Sequence, residues 1–166
     1  VAAFQLRRTA ERDALTGVLN RRTLDLVLAR CFSAGSAGEQ MSVLFIDIDW
    51  FKRINDIHGH ATGDEGLVAF TETLTSNLRD TDVAGRWGGE EFIIVCREST
   101  LPQASQFAER LRTVIAQTSF SFPEDITASF GVASITEAET VDDLINLADS
   151  RLYQAKDAGR NCVVHA

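Results

Sequence analysis

The chain has 166 residues, 45% of them hydrophobic and 24% charged, with a formal net charge of −8. That length and balance fit one globular domain with a real core, and the acidic excess excludes a broad nucleic-acid footprint, which demands a basic face. No apolar run approaches the ~18 residues that a membrane helix needs, and no signal-peptide pattern opens the chain.

Residues 1–12 carry Arg7, Arg8, Glu11 and Arg12 among alanines and are read as the end of a helix entering from an upstream segment. The chain begins with Val1 rather than Met, so it is read as a part of something longer. Residues 13–20 break that helix; 21–32 resume one, with Leu24, Val27, Leu28 and Cys31 at helical spacing, and 33–40 form a glycine-rich loop. Met41 to Ile48 is a continuous apolar run ending in acid, the pattern of a central strand covered on both faces. Phe51 to Ile57 and Gly66 to Leu78 are predicted helical, followed by hairpin strands over 83–87 and 91–96. Pro102 opens a helix carrying Ala104, Phe107, Ala108, Leu111 and Ile115; 126–135 is a strand, 141–158 a helix and 162–165 a closing strand. Intermixed strands and helices with an antiparallel hairpin predict α/β or α+β architecture around one mixed sheet. Cys31, Cys96 and Cys162 lie far apart without CxxC spacing and read as thiols in a reducing compartment rather than a zinc site.

The most informative string is Arg86-Trp-Gly-Gly-Glu-Glu-Phe92. Gly88-Gly89 between two strand-like runs predicts a tight hairpin, because glycine accepts positive φ at no steric cost. Such a turn also offers bare backbone to a ligand, with Glu90 and Glu91 at its rim pointing to opposite faces. A cradle for a metal-bound phosphate ligand and a soluble surface hairpin fit this pattern alone equally well.

The strand at 41–48 ends in Asp47-Ile48-Asp49, at the sheet end where ligand crevices form. Asp49 is assigned to capping the helix that begins near Trp50. Asp47 ends a buried strand with no partner adjacent in sequence, and a hard cation such as magnesium would supply one. Lys52 and Arg53 follow within one helical turn, placed to neutralise a transferring phosphoryl group. Asn55 and Asp64 carry an amide and a carboxylate suited to a guanine edge, although each alone also fits a turn or cap. No GxxxxGK[ST] string exists, and His58 and His60 are too closely spaced for a helical metal site.

Taken together these motifs resemble the GGDEF domain of bacterial diguanylate cyclases, over essentially the whole chain. The resemblance rests on five motifs in order: Asp13-Ala-Leu-Thr-Gly-Val-Leu-Asn-Arg-Arg22; Phe45-Ile-Asp-Ile-Asp-Trp-Phe-Lys52 with Asn55; Gly59-His60 through Gly63-Asp64; Ser129-Phe-Gly131; and Ala148-Asp149 through Leu152-Tyr153, Ala155-Lys156 and Gly159-Arg160-Asn161. The signature has Glu90 where the family name has Asp, a variation that active members tolerate, and Trp50 stands where Phe or His is commoner.

The resemblance implies a palm-like fold with helices around a central sheet, residues 1–12 being the end of a linker helix and 13–166 the cyclase domain. It implies the condensation of two GTP into cyclic di-GMP and two pyrophosphates, with Mg2+ (or Mn2+) as cofactor. Asp47, the Ile48 carbonyl, Glu90 and Glu91 would hold metal, and Glu90 would be the base for the ribose 3′-hydroxyl. Lys52 would stabilise phosphate charge, and Lys156 and Arg160 would clamp the phosphates. Asn55, His60 and Asp64 would hold guanine and ribose, and Gly88 and Gly89 would let the nucleotide lie close. Since the product joins two nucleotides by two symmetric bonds, a homodimer is expected for catalysis, fed by an upstream sensory or coiled-coil module. Arg79-Asp80-Thr81-Asp82, five residues before Gly88, resembles the family's inhibitory product site, with Arg110 as its second arginine; a plain loop ion pair is the alternative.

The expected location is cytoplasmic, with membrane anchoring left to the parent protein and no membrane contact by this domain. Three other functions compete: a non-enzymatic binder of GTP or cyclic di-GMP, a mononucleotide or hybrid dinucleotide cyclase, and a pure interaction domain. The complete set of Asp47, Gly88, Gly89, Glu90 and Glu91 disfavours the first, base selectivity near Asn55 and Asp64 decides the second, and the clustering of acids and glycines at sheet ends opposes the third.

Overall fold

Every residue of the strand Met41–Ile48 (β1) is buried, because the sheet carries helices on both of its faces. The computed structural model describes Ala3, residues 10–120 and residues 122–166. The helix expected over 1–12 lies mostly outside these described residues, with Ala10 and Glu11 helical. In chain order follow α1 (Arg21–Ser36), β1, α2 (Phe51–His58), α3 (His60–Ser76), β2 (Asp82–Gly88), β3 (Glu91–Arg97), α4 (Leu101–Gln117), β4 (Ala128–Ser134), α5 (Val141–Asp157) and β5 (Val163–Val164).

Among the described residues the sheet has five strands in the order β2-β3-β1-β4-β5. β1 runs antiparallel to both β3 and β4, β2 and β3 form the hairpin, and β5 pairs parallel with β4. Period-two alternation splits the core. Leu44, Ile46 and Ile48 meet Phe92 and Ile94 beneath α3 and α4, which supply Phe70, Leu74, Phe107 and Leu111. Met41, Val43 and Phe45 meet Ile93 and Val95 beneath α1 and α5, which supply Leu24, Leu28, Leu144 and Leu152. The predicted mixed α+β sheet is the observed one.

Among the boundaries that differ from expectation, three are the following. α1 runs on to Ser36, β4 starts at Ala128, and the helix expected from Gly66 begins at His60. The last difference has a steric cause. A Cβ on Gly63 would lie 1.7 Å from Asn55 Oδ1, so its absence lets α2 and α3 approach. Gly59, at φ 86°, is the one residue that separates the two helices.

The closest backbone approach is at Gly131 on β4. A Cβ there would lie 2.0 Å from the Ala148 carbonyl oxygen and 2.4 Å from the Leu152 nitrogen, both on α5. Neither atom can swing aside as a side chain would. Gly131→Ala is therefore expected to cost about 3 kcal/mol or more, read as a lower urea midpoint. Gly88→Ala, whose Cβ meets nothing within 4 Å, should stay within about 0.5 kcal/mol of wild type. Equal midpoints for the two variants would contradict this account of β4–α5 packing.

Candidate functional site

The C-terminal end of β1 opens into a cleft of about 370 Å³ whose walls include Asp47, Ile48, Lys52, Glu90, Lys156 and Arg160. Residues separated by more than a hundred positions in sequence converge there because β1 is central and α5 crosses its end. Asp47 is buried, and its Oδ2 accepts a 2.7 Å hydrogen bond from Lys156 Nζ. The partner that Asp47 lacks in sequence is thus a lysine of the last helix. Glu91 stands directly opposite Asp47 across the antiparallel ladder. Burial pushes the Asp47 carboxyl up to about 6; Lys156 opposes that rise, and the charges of Glu90 and Glu91 add to it. Burial, with Asp149 and Glu90, also raises Glu91, against the pull of Lys156.

Burial is thus the main reason Asp47 and Glu91 resist ionisation, with repulsion among neighbouring carboxylates adding to it. An oxygen-only set of Asp47, Glu90, Glu91 and the Ile48 carbonyl fits a hard divalent cation, which takes carboxylates, water and phosphate oxygens. Among the described residues no three His, Cys, Asp or Glu side chains form a ready-made cage. Magnesium seldom uses one, since it keeps waters and relies on substrate phosphates.

The signature turn is pinned from two sides. Ile48 N donates to the Glu90 carbonyl at 3.3 Å. Arg86 donates to the Gly89 carbonyl through Nε at 2.9 Å and Nη2 at 2.7 Å. The same guanidinium reaches both Asp13 oxygens at 3.3 Å, and Asp13 also accepts from Thr16 N and Oγ1. Burial would raise Asp13, but the Thr16 hydrogen bonds and Arg86 outweigh it and hold the carboxyl below the usual range.

The turn glycines correct one expectation: neither Gly88 nor Gly89 adopts a positive φ. A Cβ on either would meet no atom of the chain within 4 Å, so protein packing does not require them to be bare. The hairpin also contains an irregularity between Arg86 and Gly88 that leaves Trp87 out of register. Trp87 lies under the Arg21 guanidinium, 3.2 Å from the ring centroid, and edge-on to Phe45.

Asp49 does not cap α2, whose preceding residue Trp50 makes no side-chain cap. Its buried carboxylate accepts from Ser129 Oγ at 2.6 Å, Thr127 Oγ1 at 2.7 Å and Asn161 N at 2.9 Å. It ties β4 and the turn after α5 to the end of β1, a role with no local sequence signal because its partners lie 78 to 112 residues away.

Asn55 faces α3 beside Gly63, and its buried Oδ1 has no hydrogen-bond partner. Buried acceptors are rarely left so. His60 and Asp64 are exposed on the first turns of α3, outside the walls of the cleft proper. Gly88, Gly89 and Glu91 likewise lie beyond those walls, on the hairpin at its rim.

The Arg79–Asp82 motif forms a separate site. Asp82 is buried and receives Arg79 Nη2 at 3.0 Å, Nε at 3.2 Å and the Arg79 backbone N at 2.9 Å. Arg79 also donates to Ser99 Oγ at 2.6 Å. The Asp82 carboxylate is thus occupied in holding Arg79, whose guanidinium shares a smaller cleft with Arg110, Phe107 and Gln103.

The family described as diguanylate cyclase, GGDEF domain, matches residues 10–162. The diguanylate cyclase DgcM of Escherichia coli (strain K12) is 40% identical over 163 residues, covering 98% of this chain and 40% of that protein. The chain thus spans about two fifths of the length of such curated relatives. Its fold matches the crystal structure of the coiled coil and GGDEF domain of DgcB from Caulobacter crescentus in complex with c-di-GMP (TM-score 0.93, 28% identity, 99% of this chain and 90% of that one). It also matches the active GGEEF domain of a diguanylate cyclase from Vibrio cholerae (TM-score 0.81, 36% identity, 88% and 96%). The chain belongs to the diguanylate cyclase GGDEF-domain family.

Asp47 makes stability depend on pH. Its carboxyl holds a proton up to about pH 6 in the fold against an ordinary value of 3.8, so ionisation destabilises the folded chain. The penalty is absent below about pH 3.8, grows as pH rises, and is complete above about pH 6. Asp47→Asn, which keeps an acceptor for Lys156, is expected to raise stability by about 1–3 kcal/mol at pH 7.5. The gain should vanish in thermal melts near pH 4. A variant less stable than wild type at pH 7.5 would show that the Lys156 pair, not carboxylate crowding, dominates this site.

Proposed function

From this family membership, we propose that the domain condenses two GTP into cyclic di-GMP, releasing two pyrophosphates. The observation that carries the reading is the carboxylate set of Asp47, Glu90 and Glu91, crowded at a buried strand end beside a turn whose two glycines no protein contact requires. Bare backbone there leaves room for a ligand.

In the reaction each ribose 3′-oxygen attacks the α-phosphorus of the facing GTP. The bond to the bridging oxygen of the β-phosphate breaks, and pyrophosphate leaves. Glu90, on the cleft wall, takes the 3′-hydroxyl proton. Lys52, Lys156 and Arg160, all in the cleft walls, neutralise phosphate charge. Lys156 would leave or share Asp47 when nucleotide arrives, since its ammonium has three donors and a flexible stem. Asp47, Glu90, Glu91 and the Ile48 carbonyl would hold Mg2+ or Mn2+, which supplies Lewis-acid polarisation of the α-phosphate and a template for in-line attack. Asn55, with His60 and Asp64 from α3, would hold guanine and ribose.

One chain offers one such cleft, so two domains must face each other about a twofold axis to close both bonds. We assign residues 13–166 to the cyclase unit and 1–12 to the end of a connecting helix. The coiled coil joined to the GGDEF domain in the Caulobacter relative supports an upstream dimerising module. A cytoplasmic location follows from the GTP substrate; no helix among the described residues is long and apolar enough to cross a membrane.

Incubating the chain at high concentration with magnesium and GTP should yield cyclic di-GMP by chromatography, and Glu91→Ala should lose at least about 100-fold in rate. Tight GTP binding without product, persisting after fusion to a dimeric coiled coil, would make the domain a binding module instead.

The second cleft is the proposed product site, with Arg110 and the Nη1 group of Arg79 as donors and Asp82 holding Arg79 in place. Arg79→Ala is expected to abolish cyclic di-GMP binding in calorimetry while turnover at low product continues. Undiminished binding would remove the assignment.

A further inference from the structure

Left-handed backbone is concentrated at the mouth of the cleft. Of the four non-glycine residues with positive φ among those described, three lie there: Trp50 (58°), Arg160 (66°) and Asn161 (45°). A side chain in that region crowds its own carbonyl, so such residues persist where the surroundings hold them. Two contacts join the strained segments. The Arg160 guanidinium lies 3.8 Å from the Trp50 ring centroid, and Asn161 N donates to Asp49 Oδ2 at 2.9 Å. Both sides are anchored to the framework. Asp49 is fixed by Thr127 and Ser129, and Asn161 Oδ1 accepts from Arg112 Nη1 of α4 at 3.0 Å.

Packing gives no reason for an indole at this position. Trp50 is 56% exposed, and its φ would suit glycine or asparagine better. What the ring does contact is Arg160, a wall residue of the same cleft. A guanidinium stacked on an aromatic face keeps its charge and edge donors while losing rotamer freedom before any ligand arrives.

We propose that Trp50 is a positioning residue for nucleotide binding. Its ring holds the Arg160 guanidinium at the cleft mouth, so that a nucleoside triphosphate meets a cation already in place, and Asp49 sets the backbone geometry that brings the two together. The entropy of ordering Arg160 is then spent in folding rather than in binding. The inference rests on the reading of this cleft as the GTP site.

The test is calorimetric titration of a non-reactive GTP analogue with magnesium into wild type, Trp50→Gly, Trp50→Phe, Arg160→Ala and the Trp50→Gly/Arg160→Ala double variant. Melting temperatures are measured in parallel. Trp50→Gly should weaken binding roughly fivefold, as expected when one arginine side chain must be ordered in the binding step. Its melting temperature should hold or rise, because glycine relieves the left-handed strain. Trp50→Phe should retain most of the affinity, and the double variant should bind no worse than Arg160→Ala alone, since the ring acts through that arginine. An affinity unchanged in Trp50→Gly, or losses that multiply in the double variant, would overturn the proposal while leaving the GTP site standing. A wild-type chain that binds no GTP analogue would instead remove the nucleotide reading on which it rests.

Discussion

Asp47 ends the central strand with its carboxylate buried, and the Lys156 ammonium 2.7 Å away answers one of three carboxylates gathered there. A buried charge is expensive unless paired, and breaking such a pair by removing one partner leaves the other uncompensated. Lys156 can reach Asp47 only if α5 crosses the end of β1, and α5 crosses there because Gly131 lets it lie against β4. The charge pair and the close approach thus specify the same docking. Glu91 has no choice of position either, since the β1–β3 register places it opposite Asp47. The central strand therefore delivers crowded carboxylates to the cleft as a consequence of sheet pairing. That arrangement disfavours ionisation in the isolated chain and favours a cation, which is the usual way a site is kept ready at some cost to stability.

The turn beside these acids is held without side chains of its own. Its carbonyls at Gly89 and Glu90 are taken by Arg86 and by the Ile48 amide, so the backbone is positioned from outside the loop. Such bracing leaves Gly88 and Gly89 exposed, with open space where a side chain would stand, yet not free to wander. Arg86 also joins this turn to Asp13, and residues 10 and 11 accept hydrogen bonds from Asn20. The segment by which the chain enters the domain is consequently two hydrogen-bonded steps from the signature turn. A displacement of that segment has a physical route to the carboxylates, through a charged side chain with partners at both ends.

Much of this was legible in the sequence. The continuous apolar run at 41–48 could only be a strand covered on both faces, and the hairpin and the helices of residues 101–117 and 141–157 followed from periodicity and turn residues. Site residues were legible because motifs cluster them locally, as at Asp47–Asn55 and Gly88–Glu91. What could not be read was pairing across distance. Asp49 looked like a helix cap because an acid before a helix usually is one, whereas its partners come from β4 and the turn after α5. Lys156 on Asp47 and Arg86 on Asp13 span 109 and 73 residues, beyond any local pattern. One glycine pair misled: Gly88-Gly89 suggested positive φ and supplies absence of bulk instead.

One rule unites three of the cations that sequence reasoning had set aside for ligands. Lys156 sits on Asp47, Arg79 on Asp82 and Arg160 on Trp50. Each cation is occupied by a partner from the chain, and each partner is matched to a different task. A carboxylate on a flexible lysine can exchange it for phosphate, because the ammonium carries three donors on a mobile stem. A buried carboxylate gripping an arginine through backbone and side chain fixes its direction while leaving the Nη1 group for a ligand. An aromatic face holds a guanidinium without consuming any of its hydrogen-bond donors. Unpartnered cations in two clefts would repel one another and sample many rotamers, and ligand binding would have to overcome both effects. With internal partners the clefts are formed before ligand arrives, and the selectivity of each depends on how readily its partner gives way.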